Sequence, residues 1–369
     1  MLLTPGPTPV PEFVRKAMAD ITIHHRTPEF EAIFAQTREL LLELYGMDEV
    51  VMLASSGSGA MEACVTNLTK TKALTVNSGK FGERFGKICK AYNIDYTEIK
   101  NEWNTPVSVE EVVNAVKNDS SIDAIFIQLC ESAGGLRHPV EQIAAEVKKI
   151  NKDIMIVADG ITAIGVEKID VTNLDAVITG SQKALMLPPG LAMIGFSNKA
   201  VEKINENAKG FYFNLATEIK KQRTNTTAWT AATTLIIGLK EILKHIKENV
   251  GFDKLYSQTA LRAKATREAL LAIGFEIYPS SPADAMTTIF TEQSNAIRKI
   301  LKTKYNVNIA GGQDHLSGKI FRINHMGLVE DYEAAWAVNA VELALNDLGL
   351  RTFDGTANKV FASNMFKGN

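Results

Sequence analysis

The sequence predicts an α/β fold, a mostly parallel sheet wrapped by helices, followed by a smaller α+β unit. Three observations predict it. Several short runs between residues 50 and 196 are apolar throughout rather than alternating, the pattern of strands covered on both faces. Gly/Ser/Asn-rich turns follow these runs, and stretches with one apolar helical face fill the intervals. After about residue 255 the texture becomes a helix, short alternating strands and a closing helix.

In chain order, the strand-like runs are residues 50–54, 73–76, 124–129, 154–158, 176–178 and 191–196. Residues 60–68, 109–117 and 140–150 read as helices. Residues 214–248 read as a long helix introduced by Thr224-Asn225-Thr226-Thr227, whose side chains suit helix starts. A helix over 255–273, strands over 275–278, 287–290 and 319–323, and a helix over 331–348 follow. Residues 353–369 show no period and read as a loosely packed tail. The chain divides into an arm (1–15), a large domain (16–250) and a small domain (251–369).

At 369 residues, 46% hydrophobic and 22% charged, the chain can bury a core without disulfide or metal staples. Its 40 basic and 42 acidic residues leave a net charge of −2, which gives no electrostatic reason to expect nucleic acid or an anionic membrane. Cys64, Cys89 and Cys130 are odd in number, with no CxxC. They fit a reducing cytoplasm better than a disulfide framework or thiolate metal site. The six histidines form no HExxH, so no metal is expected. The opening residues have no basic segment leading into an apolar one, so no secretory signal is expected. Residues 184–196 are broken by Pro188, Pro189 and Gly190, and fall short of the roughly 20 residues that span a bilayer.

Ligands of a parallel sheet collect at the carboxyl ends of its strands. Run 50–54 leads into Ser55-Ser56-Gly57-Ser58-Gly59, and run 73–76 into Asn77-Ser78-Gly79-Lys80-Phe81-Gly82. Run 124–129 leads into Cys130-Glu131-Ser132-Ala133-Gly134-Gly135, run 154–158 into Asp159-Gly160, and run 176–178 into Thr179-Gly180-Ser181-Gln182-Lys183. A Ser/Gly turn opening a helix can cradle a phosphate. This one lacks the Gly-Lys-Ser/Thr of a Walker A loop, and Glu62 stands at the third glycine position of a dinucleotide fingerprint. Singly, each segment has a plainer role: a flexible turn, a capping Asp159, a surface Lys183, a core Phe81. Together they suggest a desolvated lysine that forms a Schiff base, a carboxylate that keeps a pyridine nitrogen protonated and an aromatic that stacks on the ring, the chemistry of pyridoxal phosphate.

These segments, with Ala158-Asp159-Gly160-Ile161, Gly180-Ser181-Gln182-Lys183-Ala184, the opening Thr4-Pro5-Gly6-Pro7 and the late Phe321-Arg322-Ile323-Asn324, resemble the class V aminotransferases, closest to the alanine– and serine–glyoxylate branch. The resemblance implies a fold-type-I homodimer with a seven-stranded sheet in each large domain and active sites shared across the subunit interface, with the 1–15 arm close to the site. It implies that Lys183 bonds the cofactor aldehyde, Asp159 faces the ring nitrogen and Phe81 stacks on the ring, with Ile161 beside it. Ser58, Gly59, Ala60 and Gln182 would hold the phosphate, joined by Thr226 of a neighbouring subunit, and Ser132 would sit by the phenolic oxygen or ring edge. Gly6, His25, Arg26 and Arg322 would meet the substrate, Arg322 as a bidentate carboxylate clamp. The branch often has His where this chain has Ala60.

The implied reaction moves an amino group between alanine or serine and a 2-oxo acid such as glyoxylate or pyruvate. Phosphoserine aminotransferase is the alternative, because His24-His25-Arg26-Thr27 is similar to that family's phosphate-holding segment. A cysteine desulfurase is set aside, since no cysteine follows Cys130. A binding protein or NAD-type oxidoreductase on the same scaffold is disfavoured by the Lys183–Asp159 pairing.

Overall fold

A computed structural model describes residues 1–366. The chain opens with β1 (Leu2–Leu3), α1 (Glu12–Met18) and α2 (Pro28–Tyr45). It continues through β2 (Glu49–Leu53), α3 (Gly57–Leu68), β3 (Lys72–Asn77), α4 (Gly82–Ala91), β4 (Asp95–Lys100), α5 (Val109–Asn118) and β5 (Ile122–Gln128). The short pair β6 (Cys130–Glu131) and β7 (Leu136–Arg137) precedes α6 (Val140–Ile150), β8 (Met155–Asp159), β9 (Ala176–Gly180) and β10 (Ala192–Phe196). Helices α7 (Asn198–Asn207), α8 (Leu215–Gln222), α9 (Thr233–His245) and α10 (Phe252–Ala272) follow. The rest is β11 (Glu276–Ile277), β12 (Met286–Phe290), α11 (Ser294–Lys304), β13 (Asn308–Gly311), β14 (Ile320–Asn324), α12 (Asp331–Asp347) and α13 (Thr356–Met365).

The large sheet has the order β2-β10-β9-β8-β5-β3-β4, with β10 running against both its neighbours and the other pairs parallel. Strand alternation splits its side chains between two cores. Leu74, Val76, Ile125, Ile127 and Ile156 join one, against residues of α2, α6 and α9. Ala73, Ala124, Phe126, Val157 and Ile178 join the other, with residues of α3, α4 and α7. Every residue of β2, β8, β9 and β10 is buried, which explains their unbroken apolar runs. The edge strand β4 instead reads Asp95-Tyr96-Thr97-Glu98-Ile99-Lys100 and is largely exposed, so its sequence carries no such run. A second, five-stranded sheet has the order β1-β13-β14-β12-β11. The chain start thus pairs with β13, parallel, through Leu2↔Asn308 and Leu3↔Ile309. Among the described residues no helix is long and apolar enough to cross a membrane.

Two expectations need correcting. The long helix over 214–248 is broken: α8 ends at Gln222, and α9 starts only at Thr233. Between them Asn225 takes a left-handed φ of 56°, and Thr224 Oγ1 and Thr227 Oγ1 donate to the carbonyls of Lys221 and Trp229. Hydroxyls that bond nearby backbone compete with helix propagation, so the threonine-rich stretch becomes a loop. Nor is the C-terminal stretch a loose tail. Residues 356–365 form α13, with Ala357, Phe361 and Met365 buried in the core beside residues of α10 and α12. Residues 367–369, the remainder of that expected tail, lie outside the described residues.

Candidate active site

Lys183 sits on the turn after β9, at the carboxyl edge of the large sheet. Its Nζ donates to Pro5 O at 2.5 Å, and Thr8 pins the arm over the turn by donating Oγ1–H to Lys183 O at 2.7 Å and N–H to Gln182 O at 3.1 Å. Gly6 is needed at this crossing. Its φ is +102°, and a Cβ there would lie 2.6 Å from Lys183 Nζ. Among the described residues no carboxylate pairs with Lys183. Burial, followed by the positive charge of Arg322, lowers its amine to about 8, while Asp159 opposes the shift.

Asp159 ends β8 and is buried; its Oδ1 accepts the Ile161 N–H at 2.9 Å. Burial pushes its carboxyl up to about 6, against the pull of that N–H and of the Arg84 and Lys183 charges. On the same side of the sheet lie the starts of α3 and α4. Ser56 caps α3 without a side-chain hydrogen bond. The Gly59 and Ala60 N–H groups already turn back to Ser56 O at 2.9 and 3.4 Å, so Gly57 and Ser58 carry the first uncommitted donors. Gly59 allows a tight crossing, since a Cβ there would lie 2.7 Å from Phe213 Cζ. Phe81 directly precedes α4, and Gln182 Oε1 is buried with no partner among the described residues.

Glu131 joins the remaining pieces and was not among the expected site residues. It is fully buried and accepts N–H bonds from Phe81 (2.9 Å), Gly82 (2.8 Å) and Ala133 (2.9 Å), fixing the Phe81 and Ser132 loops to each other. Burial pushes its carboxyl up to about 7, although the three N–H groups oppose this. Arg322, on β14, reaches across from the small sheet. Its Nη1 donates to Ser132 O at 2.6 Å, and its Nε and Nη2 donate to Gly311 O at 3.1 and 2.6 Å. Arg322 is 8% exposed and, among the described residues, forms no ion pair. Burial lowers its guanidinium to about 10, and the Glu131 charge counters this.

The fold therefore brings Gly6, Asp159, Lys183, Gln182, Ser132 and Arg322 to one sheet edge, with Ser58, Phe81 and Ile161 beside them. Thr226 stands apart in the loop after α8. Its N–H bonds Lys221 O, its hydroxyl is buried without a partner among the described residues, and no hydrogen bond joins it to the Lys183 cluster. His25 and Arg26 lie in the exposed loop before α2, where the His24 and His25 rings pack 4.7 Å apart and Thr27 caps the helix. Among the described residues no hydrogen bond joins them to Lys183. Besides Glu131, the expectations missed Thr8, Arg84 and the Gly311 carbonyl. Glu131 lay inside a motif already picked out by sequence; nothing in the sequence marked the other three.

Comparison with known proteins decides the family. Residues 2–326 match the Aminotransferase class-V family. The chain belongs to the class V aminotransferases. It is 48% identical over 361 residues to an uncharacterized aminotransferase of Helicobacter pylori, covering 98% of each chain. It is 28% identical to the serine–glyoxylate aminotransferase of Methylorubrum extorquens, over 96% of this chain and 93% of the relative. The crystal structure of a Thermus thermophilus aspartate aminotransferase of subgroup IV superposes with a TM-score of 0.87 at 27% identity, over 94% of this chain and 99% of that one. This class V aminotransferase is thus a transaminase with the fold-type-I architecture, and the family implies pyridoxal phosphate. Its residues fit that group. A half-buried amine without a carboxylate partner among the described residues, a buried carboxylate, uncommitted donors opening α3 and the Gln182 amide, whose Oε1 has no partner among those residues, lie at one edge.

Proposed function

We propose that this enzyme transfers an amino group from a small amino acid, alanine or serine, to a 2-oxo acid such as glyoxylate or pyruvate, using pyridoxal phosphate bound through Lys183. One observation carries the reading: a half-buried lysine amine and a buried arginine, neither paired with a carboxylate among the described residues, converge from two sheets on one sheet edge. The donor and acceptor are supported by the serine–glyoxylate relative, similar along almost the whole chain. The reading includes a cytoplasmic homodimer whose subunits share active sites, with Thr226 facing the partner's phosphate. It also divides the chain into an arm (1–15), a large domain (16–250) and a small domain (251–369).

When bound, pyridoxal phosphate supplies an aldehyde for exchange of carbon–nitrogen bonds and a pyridine ring that takes up the electron pair of a breaking Cα–H bond. The protein's own groups do the rest. Arg322 receives the substrate carboxylate through its two uncommitted N–H groups. Lys183, with an amine lowered to about 8, would take the substrate Cα proton at Nζ as general base and hold it for return in the second half of the exchange. Asp159 would face the ring nitrogen and keep its proton in place. The Pro5 carbonyl holds Nζ, and the arm pinned by Thr8 covers the lysine from water. Ser58, Gln182 and the turn through Gly59 and Ala60 would hold the phosphate, Phe81 would stack on the ring with Ile161 beside it, and Ser132 would lie at the ring edge. A screen of amino acids against glyoxylate and pyruvate tests the reading. Transfer from serine or alanine supports it; cofactor-loaded enzyme inert toward every small amino acid contradicts it.

A further inference from the structure

We propose that Arg84, in the first turn of α4, is the cation that binds the phosphate of the cofactor. The proposal rests on the pyridoxal phosphate reading above, but concerns a residue outside the expected site. Arg84 Nη1 donates to Ser58 Oγ at 2.7 Å, in the first turn of α3. Its guanidinium carbon stands 4.8 Å from the centre of the Phe81 ring, and its charge acts on Asp159. Two residues assigned to different parts of the cofactor, Ser58 and Phe81, therefore touch a single arginine, and its charge reaches a third. Among the described residues Arg84 pairs with no carboxylate, unlike Arg137, which bridges Glu141 and Glu167.

Charge balance gives the reason for a cation here. A phosphate monoester carries about −1.5 to −2 at neutral pH. A helix start offers only about half a positive charge, and Ser58, Gly59, Ala60, Gln182 and Thr226 are all neutral. Arginine suits the task, because one N–H of its planar fork can hold Ser58 while others reach phosphate oxygens. Ser58 then acts twice, as a phosphate donor and as the group that aims Arg84. The Arg84 contact with Phe81 ties the phosphate side to the stacking side of the site.

The test is cofactor affinity, measured by fluorescence titration of the full-length chain stripped of cofactor, with pyridoxal phosphate and with phosphate-free pyridoxal. Arg84→Gln is expected to weaken pyridoxal phosphate about 10- to 100-fold, the range for a lost charge-assisted hydrogen bond, and to leave pyridoxal within about twofold. Arg84→Lys, which keeps the charge, should recover most of the loss and guards against a variant that merely misfolds. Equal weakening of both ligands would make Arg84 a structural prop and overturn the proposal, as would unchanged affinity for pyridoxal phosphate. Wild-type protein that binds neither ligand would overturn the cofactor reading itself, a different result from either of these.

Discussion

Arg322→Gln is the substitution most revealing of how substrate is held. The guanidinium has five N–H donors, and three go to backbone carbonyls, two to Gly311 and one to Ser132. Two remain for a carboxylate, in the planar fork that matches it. Removing one partner of a buried charged pair costs about 2–5 kcal/mol, and each 1.4 kcal/mol is about a factor of ten. The expected drop in kcat/KM for the amino donor is therefore about 30-fold to a few thousandfold. Arg322→Lys keeps the charge, but cannot serve both carbonyls and a carboxylate with one nitrogen, so its loss should fall between. The assay is steady-state kinetics with each amino donor, beside a titration of cofactor affinity. Arg322→Gln within about threefold of wild type would refute the clamp, as would a loss confined to cofactor binding.

In the cofactor-free protein, burial holds Lys183 at about 8, below its ordinary 10.5, so its ammonium form penalises the folded state. The penalty is full below pH 8 and relieved as pH climbs toward 10.5. Urea unfolding should therefore show wild type gaining on Lys183→Met across that window, and a constant difference would contradict this. Gly6→Ala must place a methyl group 2.6 Å from Lys183 Nζ at a φ of +102°; activity should fall at least tenfold while the far-ultraviolet spectrum stays unchanged. Phe361→Ala empties a fully buried site in α13 and should cost about 3–5 kcal/mol, read as a lower midpoint in thermal unfolding. An unchanged midpoint would return that segment to the status of a tail.

The large sheet was legible because its central strands are buried on both faces, which forces runs such as Ile156-Val157-Ala158 ahead of Asp159. Polar side chains at strand ends stand out against such runs, so Asp159 and Lys183 could be picked out from the sequence as candidates. Contacts made through backbone atoms leave no such trace. The Gly311 and Ser132 carbonyls that hold Arg322 belong to unremarkable residues, and Pro5 O reaches Lys183 across 178 positions. Arg84 reads as an ordinary polar position of an amphipathic helix until the fold sets it beside Ser58. Pairing of β1 with β13 joins residues about 300 positions apart through only two residues each, below what alternation can signal. In α13 the spacing Ala357, Phe361, Met365 marks one helical face, but Ser363 and Asn364 interrupt the apolar texture that would have announced it.

Borohydride reduction of the cofactor-loaded enzyme, followed by peptide mapping, tests the central assignment most directly. Reduction should fix a phosphopyridoxyl group on the peptide carrying Lys183, with one label per chain. A label on any other lysine, or none in fully loaded protein, would contradict it.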